Sequence, residues 1–153
     1  MAMVCGSVLL ALSAGETLAA SEVGQKKESA RVQQEEWKGA DSGIQAPRTV
    51  VVRTAKDWQT LWQEHSRNRS NFTPLPSVDF DRSMVVAAFS GTKSTGGYSL
   101  EIIAVHASTH SVIVDYRETQ PSPKAFVVQV LTQTYAIRVI PKTDLPITFH
   151  RLP

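Results

Sequence analysis

Met84-Val-Val-Ala-Ala-Phe-Ser-Gly-Thr-Lys-Ser-Thr-Gly-Gly-Tyr-Ser-Leu-Glu-Ile-Ile103 decides the fold. Met84 to Phe89 is apolar at every position, without the alternation of a half-solvated strand. Such a run predicts a strand that is central in its sheet. Tyr98 to His106 reads as a second strand. Between them lie Thr92, Lys93, Ser94 and Thr95, then the pair Gly96 and Gly97. Adjacent glycines suit a backbone with positive φ, or one that another group approaches closely. The expectation is a hairpin whose apex carries the polar residues and Tyr98.

Outward from that stretch, the other elements follow from periodicity. Thr49 to Arg53 is a short apolar strand. Thr54 then stands at a helix cap position with Asp57 three residues on. Trp58, Leu61, Trp62 and His65 fall at i, i+3, i+4, i+7, one helix face that packs on a sheet. Arg67 to Asp81, punctuated by Pro74 and Pro76, is a loop. Downstream, Ser111 to Glu118 alternates apolar and polar residues and forms a hairpin with Tyr98 to His106 through Ala107 to His110. Phe126 to Leu131 is a further strand candidate. Tyr135, Ile137 and Val139 mark the next strand, and Ile147 to His150 closes the chain. One amphipathic helix on five to seven mainly antiparallel strands gives an α+β, mostly β domain: a small sheet or sandwich.

The segments before residue 47 read differently. Val8-Leu-Leu-Ala-Leu12 followed by Thr17-Leu-Ala-Ala20 has the apolar core and small-residue site of an export signal over residues 1–20, although no Lys or Arg precedes the core. Residues 21–46 are polar and mixed in charge, with a short helical pattern over 31–38. They are expected to be a disordered linker. Residues 47–153 are expected to form a single domain. The destination this implies is the periplasm or cell envelope, or secretion.

Composition narrows the function. The 153 residues are 42% hydrophobic with a net charge of +2, and the cations are dispersed, so no nucleic-acid footprint is present. Cys5 is the single cysteine, which excludes an intramolecular disulfide and a cysteine metal site. Gly91 and Gly96 have the spacing of the front half of a phosphate loop, but Gly97 and Tyr98 open a strand where Lys and Ser/Thr must open a helix. Ser90 and Lys93 have serine–lysine spacing without the helix that would align them. His106 and His110 flank a turn, yet a metal site needs more ligands than two. His65, His106, His110 and His150 are read as scattered, and the Gly-x-Ser-x-Gly pattern is absent. Glu101 either orders the loop through its amides or is a solvated charge. No cofactor and no catalytic residue is indicated.

Two blocks resemble a known family. Thr95-Gly-Gly-Tyr-Ser-Leu-Glu-Ile102 after an apolar strand, and Gln129-Val-Leu-Thr-Gln-Thr-Tyr-Ala-Ile-Arg-Val-Ile-Pro-Lys142, are similar to the PrcB C-terminal domain of bacterial protease complex subunits. The similarity runs from about Met84 to Phe149. Ser94 replaces the proline that often precedes Thr-Gly-Gly-Tyr in that family. The resemblance implies an exported accessory protein without catalysis of its own, a partner or stabiliser of a secreted subtilisin-like protease. The glycine loop also resembles that of chagasin-type protease inhibitors over a few residues, so a loop-mediated inhibitor is an alternative; a structural envelope domain is another. The expected partner-binding residues are Lys93, Ser94, Thr95, Gly96, Gly97 and Tyr98, with Lys93 steering an acidic partner and Tyr98 as a rigid anchor.

Overall fold

A computed structural model of the chain describes residues 35–67, 69 and 73–153. The expected signal over residues 1–20 lies outside them. Seven strands and one helix are present among the described residues: β1 (Glu36–Gly39), β2 (Pro47–Val52), α1 (Ala55–His65), β3 (Ser83–Lys93), β4 (Ser99–Ala107), β5 (Val112–Thr119), β6 (Thr132–Pro141) and β7 (Ile147–Leu152). They build two sheets, ordered β1-β6-β3-β2 and β4-β5-β7. All pairings are antiparallel except β5–β7, which is parallel. The α+β, mostly β fold expected from periodicity is the fold observed.

β3 is central, and its two faces explain its lack of alternation. Val85, Ala87 and Phe89 face one apolar cluster with Trp58, Leu61 and Trp62 of α1. Met84, Val86 and Ala88 face a second cluster with Leu100, Ile102, Val112 and Val114 of the other sheet. The molecule is therefore layered helix, sheet, sheet, and β3 is covered on both sides. The β3–β6 register shifts between Phe89 and Thr92, where Gly91 takes φ +73°.

The helix begins where the cap pattern places it. Thr54 Oγ1 accepts the Asp57 amide at 3.1 Å, and Asp57 complements the positive helix end. All four residues of the predicted stripe are buried. The indole N–H groups of Trp58 and Trp62 donate to the Pro76 and Thr73 carbonyls at 2.9 and 3.2 Å, which ties the 67–81 connection over the helix.

Two expectations are corrected here. The stretch 21–46 was expected to be a disordered linker, with a helical pattern over 31–38. From residue 35 on, it belongs to the domain: Glu36–Gly39 is an edge strand paired with β6. Trp37 packs 5.9 and 6.0 Å from Trp58 and Trp62, and Ser42 and Ile44 are buried. Its polar composition is that of a short edge strand with one anchoring face. Phe126 to Leu131 was expected to be a strand and is not one. The Val128 carbonyl is bonded instead to the amides of Gly96 and Val130, at 2.8 and 3.0 Å, which ties the segment to the connection between the sheets.

Candidate functional site

The double-glycine stretch is not a hairpin apex. β3 pairs with β2 and β6, and β4 pairs with β5, so Ser94 to Tyr98 carries the chain from one sheet to the other. Gly97 has φ +85°. A Cβ there would lie 2.9 Å from Pro121 Cβ and 3.0 Å from Val127 Cγ1. Gly96 donates its amide to the Val128 carbonyl at 2.8 Å, and Thr132 Oγ1 donates to the Thr95 carbonyl at 2.8 Å. The close approach that the glycines permit is thus made by the chain's own 121–132 stretch.

Tyr98 and Lys93 also differ from the expectation of a free anchor and a free cation. Tyr98 is half-buried, with Lys93 Nζ 5.3 Å from its ring centroid. Lys93 Nζ lies 2.6 Å from Glu118 Oε1, a charge contact without hydrogen-bond alignment. Arg151 Nη2 donates to Glu118 Oε2 at 2.7 Å. Glu118 is buried between these two cations, which spares it the cost of an uncompensated charge and leaves Lys93 committed inside the molecule. Ser94 is exposed and Thr95 half-buried. Of the predicted residues, the structure keeps Ser94 and one side of the glycine pair at the surface; it turns Lys93 and Tyr98 inward.

What the sequence reading did not single out is the surface that the 121–131 stretch presents on its other side. Phe126 is fully exposed, and Val128, Val130 and Leu131 are exposed beside it. Apolar side chains gathered on one irregular segment are unusual on a monomer surface. Their signal in the sequence was the same Phe-Val-Val-Gln-Val-Leu run, read there as a strand. Next to this end of the sandwich a cleft of about 370 Å³ is lined by Arg48, Ser90, Lys93, Tyr116, Glu118 and Arg151 among others.

The remaining titratable groups are accounted for locally. His106 Nε2 and His150 Nδ1 lie 3.1 and 2.9 Å from different oxygens of Asp115. His106 and His150, expected to be scattered, are brought to one carboxylate because β4, β5 and β7 contribute one residue each. Each imidazole is turned to its own carboxylate oxygen, and among the described residues no three His, Cys, Asp or Glu side chains are placed to hold a metal ion. Glu101 pairs with Lys38 at 2.5 Å, the Lys38 hydrogen bond and charge holding its carboxyl below the usual range. It is a half-exposed, solvated strand charge paired with Lys38 of β1. His65 is fully buried rather than scattered on the surface. Its Nδ1 is 3.0 Å from Ser42 Oγ, and its ring stacks edge-on to Tyr135 at 4.2 Å. Burial, then the Arg69 charge, pushes its pKa down to about 4.

Among the described residues no helix is long and apolar enough to cross a membrane. The chain matches no curated protein and no solved structure. Residues 84–141 match the family described as PrcB C-terminal. That span holds β3 to β6, the double-glycine connection and the exposed stretch laid against it. Over residues 84–141, the chain is therefore similar to the PrcB C-terminal family.

Proposed function

We propose that this chain is an exported, non-catalytic accessory domain that docks on a secreted protease of the subtilisin-like type and stabilises it. The match of residues 84–141 to the PrcB C-terminal family supports association with a protease complex. The observation that carries the docking surface is the fully exposed Phe126, with Val128, Val130 and Leu131 beside it, on a stretch whose back is locked to Gly96 and Gly97. A rigidly backed apolar strip loses little conformational freedom on binding, and an aromatic at its centre is the residue type that carries interface energy. The contact surface is thus centred on 126–131 and bordered by Ser94, in place of a projecting loop. A loop pinned by Pro121 and Val127 is a poor wedge for a protease cleft, which favours accessory binding over inhibition.

A photo-crosslinking amino acid placed at Phe126, with the chain expressed in its native cells, tests this. The expected product is a covalent adduct with a secreted protease, lost when Val128 and Val130 are both changed to Ser. Adducts dominated by unrelated envelope proteins, or none above those from a crosslinker at exposed Lys124, would overturn it.

A further inference from the structure

Residues 35–44 fold over the C-terminal end of α1 and help to shut His65 inside the domain. The Gly43 amide donates to the His65 carbonyl at 2.6 Å. Ser42 Oγ meets His65 Nδ1 at 3.0 Å and accepts the Ile44 amide at 3.1 Å. Ser42 and Ile44 are buried with the ring. Asp41 accepts from Arg69 Nη2 at 2.9 Å, and the Arg69 guanidinium lies over the Tyr135 ring at 5.3 Å. The stretch is closely seated: a Cβ at Gly39 would stand 2.9 Å from Tyr135, and one at Gly43 2.4 Å from the Glu64 carbonyl oxygen.

The second ring nitrogen has no such provision. His65 Nε2 is buried without a hydrogen-bond partner, and the rings of Trp62, Phe89 and Tyr135 stand around the imidazole. A neutral ring can hydrogen-bond Ser42 through Nδ1–H and leave Nε2 bare. A second proton would put a buried donor and a buried charge where no acceptor lies. The groups that face the ring do not offset this. Arg69, from the connection after the helix, repels a charged imidazole, and Asp41, which attracts it, is already paired with Arg69. Burial holds Tyr135 of β6 as a neutral phenol. Glu64, beside His65 on the helix, is turned to Arg48 at 2.6 Å, and Arg67 is exposed.

A charged His65 is therefore incompatible with the closed stretch, and lifting that stretch lets water reach the ring with little other disruption. β1 is four residues long and lies at the edge of its sheet. Residues 35–44 give only Trp37 and Ile44 to the cluster under the helix and nothing to the cluster between the sheets. Such a segment can open as a unit below the free energy of global unfolding. We propose that residues 35–44 are an acid-released latch: protonation of His65 detaches them from the helix end and from β6 while the two-sheet sandwich stays folded. Release removes Trp37 from Trp58 and Trp62 and takes one of the two neighbours from β6. In acid the domain then presents an apolar helix face and a free strand edge that it hides at neutral pH. The latch is separate from the Phe126 strip, and neither depends on the other.

Site-resolved hydrogen exchange on the full chain, corrected for the pH dependence of the exchange chemistry itself, tests this. The reporters are the amides of Ser42, Gly43 and Gln133, bonded to the carbonyls of Gln133, His65 and Ala40. Their opening constant should rise about 50-fold from pH 7 to pH 4.5, as it must when the ring has a pKa of about 4 closed and 6.5 open. At pH 4.5 they should open at least tenfold more often than the amides of the β4–β5 ladder, and with a weaker dependence on urea, since a partial opening exposes less surface. His65→Phe and His65→Gln, which lack the titrating ring, should each give reporters whose opening is the same at both pH values. Opening in step with the β4–β5 ladder, no rise at pH 4.5, or the parent's rise persisting in either variant would overturn the proposal.

Discussion

Gly96 and Gly97 are neighbours with opposite tolerance. A Cβ at Gly96 would meet nothing nearer than the Val128 carbonyl at 3.6 Å, an ordinary contact. At Gly97 it would meet Pro121 and Val127 at 2.9 and 3.0 Å from a left-handed backbone. Gly97→Ala should therefore cost about 2 kcal/mol and Gly96→Ala under ~1 kcal/mol, read from urea denaturation. Equal losses would show that the inter-sheet connection is not packed as described. His65 gives a pH dependence whose sign is set by its depressed pKa. Its folded-state value is about 4 against 6.5 for an ordinary histidine. Above pH ~6.5 the ring is neutral in both states and the stability is complete. As pH falls from there toward 4, the unfolded chain takes up a proton that the folded one refuses, and stability is lost. The loss from this group is roughly 3 kcal/mol across that window. Denaturation of His65→Phe at pH 7 and pH 4.5 should show a shallower fall than the parent, because phenylalanine fits the aromatic surroundings of Trp62, Phe89 and Tyr135 without titrating.

At the scale of elements, α1 and β1 contrast. The helix announces itself: a capping threonine, an acidic first turn and an apolar stripe at helical spacing all agree with its packing. Thr54→Ala should cost about 1 kcal/mol by thermal denaturation. β1 has no such local consistency. Its four residues are held by the ladder to β6, by Arg138, whose Nη2 bonds Glu36 at 2.5 Å, and by Trp37 against the helix tryptophans. Trp37→Ala should cost roughly 2–3 kcal/mol, since the ring is only partly buried. A cost near zero would return this segment to the linker that its composition suggested. The Phe126–Leu131 stretch is the reverse case: a strand-like sequence that joins no ladder and is bonded instead to the Gly96 amide of the inter-sheet connection.

For the molecule as a whole, the end of the sandwich that holds the 94–98 connection is fastened by charge and backbone together. Lys93 of one sheet, and Glu118 and Arg151 of the other, form an inter-sheet clamp. Next to it, the 121–132 stretch is bonded to Thr95 and Gly96. That fastening leaves apolar side chains outside without a folding role. Phe126→Ser should accordingly change stability by less than ~0.5 kcal/mol while weakening capture of the protease partner in a pull-down. A substantial loss of stability instead would place Phe126 in the fold and not in an interface.

Much of the fold follows from local patterns. The helix with its buried face, the doubly covered β3, the β4–β5 hairpin and the closing strand rest on periodicity, capping and apolar runs, which act over a few residues. The 84–141 family signature is legible for the same reason, as two contiguous blocks. Beyond the β4–β5 hairpin, tertiary structure alone decided which strands pair. Pairing joins residues far apart in the chain, and it turned an apparent hairpin into a crossover, recruited Trp37 and Ile44 into the core, and left Phe126 outside. It also committed Lys93 to Glu118 and Tyr98 to Lys93, because a side chain's freedom depends on what folds against it.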